Sequence, residues 1–92
     1  MKKVRTATFA LGRYRVVEYD RILGSCDVPG DNDLELAIMP GSSQQALAVL
    51  LEEMMHAEGI PDKYLHSEDK NDQRPADRMA RCAWRLGWRR RT

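Results

Sequence analysis

The sequence predicts a small α+β domain, with a mainly antiparallel N-terminal sheet of three to four strands followed by two helices. Three observations predict it. Strand-forming residues crowd the first forty positions, a capped amphipathic stretch follows Pro40-Gly41, and an arginine-rich helical pattern closes the chain. The 92 residues, 42% of them apolar, make one domain (1–92) with a small core. That is near the lower limit for folding without crosslinks.

Residues 1–40 form the sheet region. Thr6, Thr8 and Phe9, then Tyr14, Val16, Val17 and Tyr19, are β-branched or aromatic and are interrupted at Leu11-Gly12-Arg13, which predicts a hairpin about Gly12. Ile22 to Cys26 reads as a short strand running into a loop rich in Pro, Gly, Asn and Asp. Leu34-Glu35-Leu36-Ala37-Ile38-Met39 alternates apolar with polar or small residues, as a half-buried strand does. Ser42 and Gln45 fit an S-x-x-Q capping box, so the first helix is expected over 42–58, stopped by Gly59-Ile60-Pro61. At about 100° per residue, Leu47, Leu50, Leu51, Met54 and Met55 share one apolar arc, and Glu52, Glu53 and His56 fall opposite. Residues 59–73 form an acidic loop anchored by Tyr64 and Leu65. Arg74-Pro75 starts the closing helix, 74–89, since proline suits a first helical turn. Its apolar arc is Ala76, Met79, Ala80, Cys82, Ala83 and Leu86, with Trp84 at the margin. Arg74, Arg78, Arg81, Arg85 and Arg89 line the other face.

Net charge is only +1, but the charges are segregated. Residues 1–21 carry six Lys/Arg against two acids, 22–73 two against eleven, and 74–92 seven against one. Such extremes are neutralised by folding onto one another or by partners. The near-zero total argues against a dedicated nucleic-acid binder. Cys26 and Cys82 are expected as reduced, buried, small apolar residues. No stretch has the length of a membrane span or of a signal-peptide core, so a cytoplasmic protein with no membrane partner is expected.

The chemistry-bearing stretch is Leu50-Leu51-Glu52-Glu53-Met54-Met55-His56-Ala57. Residues four apart on a helix stand one above the other, so Glu52 and His56 can reach one point. A zinc-protease helix, H-E-x-x-H, uses that spacing for two histidines, with the intervening glutamate as general base. Here Glu52 offers a carboxylate oxygen in place of the first imidazole, a substitution zinc tolerates. The spacing leaves a third ligand open among His66, Glu68, Asp69, Asp72 and Asp77. A polar helix face is, equally, an ordinary solvated one. The arginine stripe (Arg78, Arg81, Arg85, Arg89), with Trp84, Trp88 and Tyr64 as stacking faces, could grip phosphates. The more economical expectation pairs the stripe with the acidic middle and packs the tryptophans inside.

Three segments resemble the very small zincin-like proteins of phages and prophages, distant relatives of the SprT-like and ImmA-like metallopeptidases. Gly24-Ser25-Cys26-Asp27-Val28-Pro29 is similar to their G-x-C-D-x-P segment. Leu50 to Ala57 is similar to their L-I-H-E-x-x-H-A helix. Ala80-Arg81-Cys82-Ala83-Trp84-Arg85-Leu86-Gly87-Trp88-Arg89 is similar to their closing A-R-x-L-W-R-L-G-W-R helix. The resemblance implies Glu53 as general base and His56 as second metal ligand. Glu52 departs from the pattern at the first ligand. Gln73 and Arg74 stand nearest the acidic third ligand, with Asp72 or Asp77 as substitutes; Asp77 completes the set if zinc is retained.

The resemblance therefore implies a zincin-like fold whose peptidase activity is lost, acting by binding a protein partner in the host cytoplasm. Where a weak zinc site persists, it implies a metal-dependent hydrolase. The alternative is a phage-encoded regulator or inhibitor of host machinery that binds protein or nucleic acid through charged faces.

Overall fold

A computed structural model describes residues 2–20, 24–30, 33–65 and 74–90. The elements run β1 (Lys2–Phe9), β2 (Gly12–Glu18), β3 (Gly24–Cys26), β4 (Leu34–Ile38), α1 (Gln44–Ala57), α2 (Asp62–Leu65) and α3 (Pro75–Arg85). This is a small α+β fold, its sheet preceding its helices.

β1 and β2 form the expected hairpin, with Phe9 opposite Gly12 across the turn Ala10-Leu11. The sheet order is β1-β2-β4-β3. Two of its pairings are antiparallel, but β2 and β4 run parallel, Val16 opposite Leu36 and Val17 opposite Ala37. The chain thus passes over the β4 position, places β3 at the edge, and returns to fill the gap. Burial explains why β4 is central: Leu36, Ala37 and Ile38 are consecutively buried, where alternation predicted a half-buried strand.

The core gathers Tyr14, Val16, Leu36, Ile38 and Ala57, with Phe9, Cys26, Leu34 and Leu50 packed against it. Tyr14 is wholly buried, meets Phe9 edge-on at 5.9 Å between centroids, and its hydroxyl donates to the Asp27 carbonyl oxygen at 2.7 Å. That satisfies a buried hydroxyl and ties β2 to the loop after β3. Burial, followed by the hydrogen bond with Cys26, pushes the Tyr14 phenol up to about 12.

α1 packs on β3 and β4 by one side and on α3 by the other. Its N-cap is Ser43, whose Oγ accepts from the Ala46 amide at 3.1 Å. The cap therefore lies one residue beyond Ser42, and Gln45 does not occupy the reciprocal position of a capping box. Both long helices end on a left-handed glycine. Gly59 and Gly87 donate to the carbonyls of His56 and Trp84, while Ile60 and Trp88 donate to those of Met55 and Ala83. This paired closure stops α3 at Arg85, short of the expected Arg89.

The sequence placed Glu52, Glu53 and His56 on one polar side of α1. The fold corrects this, because a helix covered on two sides has no broad solvated face. Ala46, Leu50, Glu53 and Ala57 form the stripe toward the sheet, and Glu53 is buried. α3 keeps Ala76 and Ala80 inside, whereas Met79, Cys82 and Leu86 are exposed. Trp88 is also exposed, so the tryptophans are not both core residues. Leu65 anchors its segment as expected, but Tyr64 faces solvent. Both cysteines are free, with Cys26 half-buried and Cys82 exposed rather than buried. Among the described residues, no helix is long and apolar enough to cross a membrane.

Candidate functional site

A cleft of about 590 Å³ opens between the β3 edge and the second half of α1. β3 and the loop after it (Gly24 to Val28) form one wall. Glu52, Glu53 and His56 form the floor, Ile60 to Asp62 the far rim, and Arg74 the lip. The hairpin tip is fastened alongside: Leu11 donates its amide to the Ala57 carbonyl at 2.9 Å, and Ala10 to the Glu58 carboxylate at 3.2 Å.

Glu53 lies deepest, only 4% exposed. β3 can approach it because residue 24 is glycine. A Cβ there would sit 2.8 Å from Val49 Cγ1 and 3.0 Å from Glu53 Cγ. Glu53 Oε1 lies 3.8 Å from His56 Nε2, and Oε2 is buried with no hydrogen-bond partner among the described residues. Desolvation, then the charges of Glu52 and Asp62, pushes the carboxyl up from the ordinary 4.5 to about 7. At neutral pH the group is therefore poised to hold or release a proton.

His56 is held from its other side, with Nδ1 3.2 Å from Asp62 Oδ1. Asp62 opens α2, the short helix immediately after the glycine closure of α1. Nothing in the sequence spacing singled it out. Glu52 points instead to the lip, where Arg74 Nη1 meets its Oε1 at 3.1 Å. Arg74 precedes Pro75, which disfavours the helical conformation for it. It stays extended (φ −56°, ψ 151°) as the N-cap of α3, and its side chain bridges to Glu52. Both side chains touch solvent, so the pair contributes at most about 1 kcal/mol, but it occupies the carboxylate.

Asp27 braces the wall. Its Oδ2 accepts from the Glu35 amide at 2.9 Å, and its own amide donates to the Glu35 carbonyl at 3.1 Å. Beside it, burial raises the Cys26 thiol, partly offset by the Tyr14 hydrogen bond and reinforced by the charges of Glu53 and Asp27, which disfavours the thiolate.

The structure therefore brings Glu53 and His56 together and gives Glu52 a different partner. Asp77 does not join them. It lines a separate cavity of about 340 Å³ with Arg81, against Gln44, Gln45 and Ala48 at the other end of α1. α3 runs antiparallel to α1, so each step along it moves away from the cleft. The remaining third-ligand candidates, His66, Glu68, Asp69 and Asp72, and the nearby Gln73, lie outside the described residues. Among the described ones no three His, Cys, Asp or Glu side chains form a group that could hold a metal ion. Glu52, His56 and Asp77 thus do not fit a zinc centre.

The arginines divide as well. Arg78 and Arg85 are exposed, Arg81 lines the second cavity, and Arg89 folds back over Trp84, 3.4 Å from its ring centroid. Arg89 also donates to the Trp84 and Trp88 carbonyls at 2.9 and 2.8 Å, capping its own helix. Arg90 is drawn inside, bonded to Glu18 and to the Met39 carbonyl.

No protein-family model matches the chain, and no curated protein or solved structure matches it either.

Proposed function

We propose that this chain is a binding module, a zincin-like scaffold of the phage and prophage kind that captures a segment of a partner protein in its cleft without cleaving it. The Arg74–Glu52 ion pair carries this reading. Glu52 stands where the resembling peptidases carry their first metal ligand and Arg74 is one of the two residues nearest their third, and here the carboxylate and the guanidinium neutralise one another. A fixed cation of that kind screens Glu52, yet it offers no open coordination position and no activated water. What remains is a concave floor beside an edge strand. Among the described residues only one side of β3 is paired, so its outer edge suits an extended segment.

Zinc titration followed by calorimetry tests the scaffold. The wild-type protein is expected to bind no stoichiometric zinc, whereas the double variant Glu52→His/Arg74→Glu should bind one equivalent, lost again on adding His56→Ala. Tight zinc binding by the wild type, or none by the double variant, overturns the reading. Selection from a peptide library tests capture, which should depend on the cleft residues and leave the selected peptides intact.

A second reading has its own support. Arg78 and Arg85 flank Met79 and Leu86 on an open face of α3, the surface a regulator or inhibitor would present to a host protein or nucleic acid. Charge reversal there would then abolish binding while cleft substitutions leave it intact.

A further inference from the structure

We propose that the cleft floor is a receptor for a primary ammonium group, the side-chain terminus of a lysine on the captured segment. The inference rests on the cleft-binding reading and names what that cleft recognises. Its basis is the unpartnered, buried Oε2 of Glu53 at the floor of a cleft large enough to admit a side chain.

The charged groups that line the cleft among the described residues bear on the choice of ligand. Glu52 and His56 stand beside Glu53 on α1, Asp62 faces it from α2, Asp27 and Cys26 from the β3 wall, and Arg74 from the lip. Arg74 is matched by Glu52 and His56 lies against Asp62, so among the described residues the lining of the floor is anionic in balance. An anionic ligand would be repelled, and a neutral one would leave a buried carboxylate oxygen without a charge-assisted partner. A cation that donates hydrogen bonds meets both demands.

Geometry separates ammonium from guanidinium. A guanidinium binds carboxylate best as a fork across both oxygens. Glu53 Oε1 lies 3.8 Å from His56 Nε2 and Oε2 is closed off from solvent, so a flat fork across both oxygens has no open approach. An ammonium is a compact point charge with three donors, suited to one oxygen at the bottom and to Asp62 at the rim. Leu11, Val28 and Ile60 are exposed around the mouth and would cover the aliphatic stem of a lysine.

The test is an amide NMR titration of the intact chain with n-butylammonium at mildly alkaline pH. Saturable shifts are expected at Gly24, Ser25, Glu53 and His56, at roughly millimolar affinity for so small a probe. n-Butanol should give none, and n-butylguanidinium should bind more weakly. Glu53→Gln should lower affinity about tenfold or more, as loss of a hydrogen bond to a charged group does. Should that variant misfold, Asp62→Asn at the exposed rim serves instead, with an affinity loss of about twofold to threefold. No saturable shift in the wild type, equal shifts with n-butanol, tighter binding of the guanidinium, or indifference to both substitutions would overturn the proposal. Failure of the partner reading looks different: the ammonium would still titrate the floor, but no lysine-bearing peptide would be selected.

Discussion

Two charged regions of this small molecule handle charge in contrary ways. In the cleft, four carboxylates, a histidine and one arginine are concentrated at the floor, wall and rim, and the deepest, Glu53, is cut off from water. On the outer face of α3, Arg78 and Arg85 stand in solvent beside Met79 and Leu86. In the first region Arg74 holds Glu52 and Asp62 holds His56. In the second, among the described residues, neither Arg78 nor Arg85 makes an ion pair. Solvent accounts for the difference. Desolvation makes each unpaired cleft charge expensive, so its surroundings are specified, while screened charges can be spread along a helix at little cost.

Arg90 gives the sharpest test of that contrast, because by sequence it belongs to the arginine-rich end and by environment to the interior. Its ion pair with Glu18 leaves both side chains about nine-tenths covered. Arg90→Ala would strand Glu18 and release the Met39 carbonyl, so a loss of about 3 kcal/mol is expected in urea unfolding. Arg85→Ala, five residues earlier at the end of α3, serves as the control. If the two variants unfold at the same urea concentration, burial does not separate these arginines.

Glu53→Gln addresses the cleft side. Because the folded carboxyl titrates near 7 rather than 4.5, the folded state binds its proton more tightly than the unfolded chain does. The wild type therefore loses stability as pH rises from about 4.5 to about 7, and the full burden persists above that. Glutamine cannot ionise, so the variant should gain on the order of 2 kcal/mol at pH 8 and nothing at pH 4. A difference between the proteins that does not change with pH would refute the desolvated carboxyl.

Gly24→Ala probes the wall. The added methyl meets Val49 and the stem of Glu53 closer than real contacts allow, so β3 must shift away from α1. An expected cost of about 1–2 kcal/mol, with changes in the His56 amide environment, separates close approach from a merely flexible strand. An unaltered melting curve would mean that the wall has room to spare.

Much of this arrangement could be read from the chain, and the rest depended on contacts distant in sequence. The hairpin at Gly12 and the end of α1 at Gly59 were legible, because turn and stop signals are local. The parallel pairing of β2 with β4 was not, since strand order is set by which strands bury most, not by any turn. Ser42 and Ser43 are both good N-cap residues and only Ser42 fits S-x-x-Q, but backbone geometry chooses the second. Glu53 and His56 were found by their helical spacing. The same spacing nonetheless puts Glu53 on a solvated face, because a hydrophobic arc drawn for one covered side misjudges a helix covered on two. Arg74 illustrates the same limit from the other direction. Pro75 foretold a helix start, but only the antiparallel run of α3 along α1 brings that start to Glu52 and carries Asp77 away from it.

The smallest expected effect belongs to the outer face. Arg78→Glu and Arg85→Glu remove charges that pair with nothing among the described residues, so each should change stability by less than about 0.5 kcal/mol. Opposite charge on a helix last turn is mildly unfavourable, and Arg85 lies there, so its reversal should cost the more of the two. Salt sharpens the comparison: the small difference between these variants should vanish as ionic strength rises, because exposed charges are screened within about 10 Å at 0.1 M. The deficit of Arg90→Ala should survive the same salt, since its ion pair is shielded from solvent. If salt erased both differences alike, the distinction between a placed interior charge and a screened surface charge would fail for this protein.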